Sequence, residues 1–216
     1  MVNPKDFRKA VREPDLRADY VSQFGIVKPP YVDVVAYASP ADFQALKQRF
    51  GIAPAPGSIA KTYALDLEGL TNGSHSEVYI CDPFFDMLQG KPSKLLDING
   101  LIRENTIKNH EFEHARHYHK GIDDYPLARF RVEDGQVNRL LFGAVSELFA
   151  YKSEADGLRS IKRLQGGYVQ QVIPGLLREA MIYYDWLFDA RVTKGADPEL
   201  VKELREKLDP TRFIGF

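Results

Sequence analysis

Residues 105–121 read NTIKNHEFEHARHYHKG. His110 and His114 stand four apart, and Glu111 follows the first of them directly. On a helix, residues at that spacing share one face, one turn apart. Two imidazoles so placed can reach a single Zn²⁺ at about 2.0–2.1 Å each. Glu111 projects toward the open side of such an ion. A carboxylate there suffices as a general base, because zinc lowers the pKa of a bound water to roughly 7. In a chain of this composition H-E-x-x-H arises by chance about once in a hundred. Four of the five histidines lie within residues 110–119, which weakens the reading of a solvated histidine-bearing face. The helix that carries the motif is expected over about 100–119, ending at Gly121.

Upstream of the motif the pattern is that of a small sheet. Residues 31–38, YVDVVAYA, are β-branched and aromatic and read as a strand. Ser39 then reads as an N-cap with Pro40 at the first helical position, for a helix running to about Phe50 and ended by Gly51. Pro54, Pro56 and Gly57 mark a loop. Residues 60–68 read as a second strand, Thr71 to Ser74 as a turn, and 76–82 as a third strand antiparallel to the second. Residues 83–93 read as a connection. At the N-terminus, 5–23 is helix-compatible but broken by Pro14, and Pro29-Pro30 closes it.

Downstream the chain turns helical. A polar loop containing Asp123, Asp124, Pro126 and Asp134 precedes a long helix at about 137–164. A third long helix is expected over about 168–193, with Pro174 in its first turns. Asp197-Pro198 should cap a short helix at 198–208. The fold class is therefore α+β: a small N-terminal mixed or antiparallel sheet, then a helical part that carries the motif helix. One domain is expected over 1–216, with the sheet in about 1–95 and the helical part in about 96–216.

Lys plus Arg is 29 and Asp plus Glu is 30, so the charge is near balance. A nucleic-acid partner normally calls for a basic excess, and none is expected. The opening residues are charged throughout, with no apolar run long enough for a signal peptide or a membrane span, so no membrane partner is expected either. Cys81 is the only cysteine and cannot form an internal disulfide, which reads as a cytoplasmic location.

The motif, with a strand before it and a long helix after it, resembles the zincin metallopeptidases over about residues 60–165. Within that superfamily the resemblance is closest to the gluzincins. It implies one Zn²⁺ ion, a peptide or protein substrate, and a third metal ligand from the following helix, often in an E-x-x-A pattern. Glu147 and Ala150 match that pattern, and the apolar neighbours Val145, Leu148 and Phe149 put Glu147 near a buried boundary. Glu154, two turns on, is the alternative ligand or a partner for a ligand's N–H. The metzincin ending fails, because His117 stands at its glycine position and Lys120 at its final histidine. His117 itself lies roughly 10 Å along the helix from His110, too far to share the ion. Cys81 would fit a deformylase-like ligand set, but that family's other motifs are absent, and Cys81 is expected to face the sheet interior. The resemblance also implies that the strand at 77–82 is an edge strand able to pair with an extended peptide.

Lys108, Glu113 and Arg116 depart from the uncharged surroundings of many zincin motifs and point to a partly exposed helix. Any pairing of Glu113 with Arg116 or His117 is expected to be a weak surface effect. His117 and His119 read as exposed, and His75 as a turn residue without an identified partner. Donors to a developing oxyanion would come from His117, Tyr118, Tyr151, Tyr168, Tyr183 or Tyr184. The expected function is a zinc-dependent peptidase with His110, His114 and Glu147 as ligands and Glu111 as base. The alternatives are a non-catalytic zinc domain that binds or regulates a protein, and a metal-free helical interaction protein.

Overall fold

Strand β1, Val32–Tyr37, lies parallel to β3, Ser76–Ile80, and β3 is antiparallel to β2, Ala60–Ala64, giving the order β1-β3-β2. The computed structural model describes residues 26–51, 54, 60–65, 73–81, 98–122, 135–162, 167–194 and 196–214. The expected helix at 5–23 and connection at 83–93 lie outside them. Between Val32 and Val34 the register with β3 slips by one residue. Such a bulge shifts the alternation of side chains by one position. Val32 and Val35, three apart, consequently enter the same core cluster with Val78, Ile80 and Ala60.

The opposite sheet face carries Tyr63 and Tyr79, which pack with Ala38, Phe43 and Leu46. Phe43 and Leu46 come from helix α1, Pro40–Phe50. Its caps are those expected: the Ser39 side chain accepts the Asp42 N–H, and Gly51 ends the helix at φ 75°. That φ is left-handed, and glycine adopts it without the Cβ clash other residues meet. Cys81 is partly buried against this cluster, in keeping with its expected interior position.

The expected motif helix is present but not uniformly α. Helix α2, Ile98–Asn105, runs into a π-helical turn, Thr106–Glu111, and continues as α3, Phe112–Lys120, with Gly121 as its C-cap. The Phe112 N–H bonds the Ile107 carbonyl, five residues back. In a regular α-helix residues five apart would point about 140° away from each other. The wider turn lets Ile107 and Phe112 enter the same sheet-facing core, together with Ala115. Apolar demand from the sheet thus favours a π-turn where the H-E-x-x-H motif begins, a placement seen often at functional sites.

One expectation about the sheet fails. β3 covers most of the strand expected at 76–82, and it is the central strand, paired on both sides. Its backbone groups are already used by β1 and β2, so it has no edge to offer a peptide. The outer strands among the described residues are β1 and β2.

The chain divides into two compact units after Gly121. In the second, α4, Gly135–Ser160, packs against α5, Gly167–Leu187. α5 ends six residues before the expected boundary. The Asp189 carboxylate accepts the Arg191 N–H at 2.8 Å, closing a turn that competes with further helix. Helix α6, Pro198–Leu208, has the expected Asp197 cap. A one-turn helix α7, Pro210–Phe213, repeats the device with Asp209-Pro210 and was not anticipated. No helix among the described residues is long and apolar enough to cross a membrane.

Candidate metal centre

His110 lies in the π-helical turn, one residue before its end, and His114 sits in the first turn of α3. Both are buried, at 7% and 5% exposure. Their Nε2 atoms lie 3.2 Å apart. Two tetrahedral zinc ligands at 2.0–2.1 Å are separated by about 3.3 Å, so the pair already has the spacing one ion requires. One donor atom from each of His110, His114 and Glu147 lies within 4.8 Å of the others, the one such group of three among the described residues. The donor set, two imidazoles and a carboxylate, suits zinc. Glu154 is buried but does not belong to this group, and neither does Cys81. Glu147 is half-buried on α4, between fully buried Ser146 and Leu148, and Ala150 of the E-x-x-A pattern is fully buried.

Glu111 is 5% exposed and also stands outside the donor group. Its Oε2 accepts a hydrogen bond from the Thr62 hydroxyl at 2.6 Å, and its carbonyl oxygen lies 2.9 Å from the same hydroxyl. Thr62 is on β2 and buried. It is the site residue that sequence reasoning missed. The contact spans 49 positions in the chain, and a threonine in a strand carries no local mark of such a role.

The histidines outside the pair correct the expectation of exposure. His117 is fully buried, with Nε2 3.1 Å from Glu113 Oε1, and burial pushes its pKa below the usual histidine value. Arg116 grips both oxygens of the same carboxylate, with Nε–Oε2 at 3.0 Å and an Nη–Oε1 contact of 2.8 Å. Burial alone would raise the Glu113 pKa, but His117 and Arg116 outweigh it and hold the carboxyl down to about 2. The expected surface pair is thus a partly buried network on the motif helix. Lys108 pairs with Glu104. His119 is half-buried and stacks on Tyr31, with ring centroids 4.8 Å apart. His75 Nδ1 contacts Asp33 Oδ1 at 2.7 Å, so the turn histidine has a partner.

Among the oxyanion candidates, Tyr151 and Tyr183 are neighbours, with ring centroids 6.2 Å apart. Burial raises both pKa values, and the charge of Glu147 adds to the effect, taking Tyr183 to about 12. Both phenols remain protonated donors beside Glu147 across the physiological range. Tyr184 donates instead to the Arg205 carbonyl at 3.1 Å. The Tyr168 side chain lies outside the described residues.

No protein-family model matches the chain, and no curated protein or solved structure matches it significantly.

Proposed function

We propose that the chain is a zinc-dependent hydrolase of gluzincin type that cleaves peptide bonds. The observation that carries this is the buried His110–His114 pair at zinc-ligand spacing, with Glu147 in the same donor group and Glu111 held beside it but outside it. Zn²⁺ held by His110, His114 and Glu147 would act as a Lewis acid on the scissile carbonyl and lower the pKa of a water to roughly 7. Glu111 takes the proton from the attacking water and passes it to the departing amine. Tyr151 or Tyr183 donates a hydrogen bond to the oxygen on which charge develops. With β3 paired on both sides, β2 is, among the described residues, an outer strand that packs with the motif helix. An extended peptide would add there.

Glu111→Gln tests this reading. The amide keeps nearly the same shape and an acceptor for Thr62, but it is not a base. The variant should bind zinc as wild type does and lose hydrolysis of an unstructured peptide mixture by at least about 100-fold. Cleavage at the wild-type rate rules the mechanism out.

A second reading is a non-catalytic zinc domain. The bond from Thr62 to Glu111 is the observation that favours it, because a buried carboxylate tied to a strand also anchors the helix without any base chemistry. Zinc bound stoichiometrically with no cleavage of any peptide in that mixture would support it over the peptidase.

A further inference from the structure

We infer that Thr62 is a positioning residue that keeps Glu111 a base and prevents it from becoming a metal ligand. This rests on the peptidase reading above. A carboxylate next in sequence to a metal-binding histidine is a potential ligand, and a fourth protein ligand would close the position that a catalytic zinc site keeps open. The structure places Glu111 outside the donor group of His110, His114 and Glu147. The group that holds it there is identifiable. Thr62 Oγ1 lies 2.6 Å from Glu111 Oε2. That falls in the range of a charge-assisted O–H···O⁻ bond, about 2.5–2.7 Å.

A hydroxyl has a single proton to donate. At 2.6 Å the carboxylate is the closer acceptor, and the Glu111 carbonyl at 2.9 Å is the other one in reach. Both acceptors belong to one residue, so the hydroxyl fixes the side chain relative to its own backbone. Thr62 is itself fixed. It is 2% exposed, and its strand is paired to β3 with Thr62 opposite Val78. As a β-branched residue it has restricted χ1 freedom. Its hydroxyl is therefore a rigid anchor for the carboxylate, supplied by the sheet and not by the motif helix.

The test uses Thr62→Val, which keeps shape and β-branching but has no hydroxyl, and Thr62→Ser, which keeps the hydroxyl. Each is compared with wild type in metal content, in the visible spectrum of the cobalt-substituted protein, and in kcat and KM on one cleaved peptide. Thr62→Val should still bind one metal ion. Its kcat should fall about 10- to 100-fold with KM within about twofold, the signature of a displaced catalytic group. Its cobalt bands should weaken as the freed carboxylate raises the coordination number. Thr62→Ser should restore both the spectrum and kcat to near wild type. If Thr62→Val folds, matches wild type in kcat and spectrum, and Glu111→Gln is inactive, the positioning role is wrong while the peptidase reading stands. If instead Glu111→Gln cleaves as fast as wild type, the peptidase reading has failed and the positioning role falls with it.

Discussion

Removing the charge of Glu113 tests whether the network on the motif helix is structural. Glu113 is held at a pKa of about 2, against an ordinary value of 4.5, by His117 and Arg116 working against burial. A carboxyl whose folded pKa is depressed binds fewer protons when folded than when unfolded. Its stabilisation is fully present above the unfolded pKa and fades as pH falls toward the folded one. The window here is from about pH 5 down to about 2. At about 1.4 kcal/mol per unit, the shift corresponds to about 3 kcal/mol at neutral pH. The Glu113 side chain is 19% exposed, which leaves little room for solvent screening. His117 acts in the same direction. Its pKa is lowered, so the folded state resists the proton that the unfolded state accepts below about 6.5. The assay is urea unfolding of wild type and Glu113→Gln between pH 7 and 2.5, with a chelator present so that ligand protonation does not enter. The variant should be about 2–3 kcal/mol less stable at pH 7, and the difference should shrink to under about 1 kcal/mol by pH 2.5. A difference below about 0.5 kcal/mol at pH 7, or one independent of pH, would refute the reasoning and return Glu113 to the class of ordinary surface pairs.

Ile107→Ala removes a side chain that is 2% exposed and anchors the π-turn to the sheet. It should cost about 3–4 kcal/mol in chemical unfolding, and a loss under about 1 kcal/mol would show that the turn is not held by that core. Burial first, and then the charge of Glu111, raise the Tyr63 pKa to about 12. Stability from this protonated phenol is intact below pH 10 and fades as pH rises toward 12. Tyr63→Phe should flatten that part of the unfolding curve by about 2 kcal/mol; an alkaline limb identical to wild type contradicts the assignment. Excess zinc should raise the melting temperature of wild type but not of His114→Ala, because only a folded site binds the ion. Equal shifts in the two proteins would place the metal elsewhere.

What could be read from the sequence was local. The His110–His114 pair needs only one helical turn, and Ser39-Pro40 and Asp197-Pro198 need only their own caps. His117 belonged in this class. It is three residues from His114 and seven from His110, the spacing of a shared face, so its burial was available from periodicity. The Asp209-Pro210 start of α7 repeats a signature already used for α6. What escaped depended on residues distant in the chain. The central place of β3 follows from its parallel pairing with β1, which no turn between adjacent strands specifies. The Thr62–Glu111 bond joins the second strand to the motif helix across 49 positions. The π-turn arises because the sheet requires Ile107 and Phe112 on one side, and that requirement is visible only once the sheet's face is known. Glu147 lies between these cases. Apolar neighbours and the E-x-x-A pattern singled it out, and its carboxylate falls in the donor group with the two histidines.

The most direct measurement is the zinc content of the purified, zinc-replete and dialysed chain, for wild type beside His114→Ala and Glu147→Ala. One zinc per wild-type chain is expected. Each variant should lose affinity by more than about 100-fold, since even partners outside the ligand set are worth 10- to 100-fold. A wild-type chain without zinc, or a Glu147→Ala variant that holds it as tightly as wild type, would contradict a metal centre built from His110, His114 and Glu147.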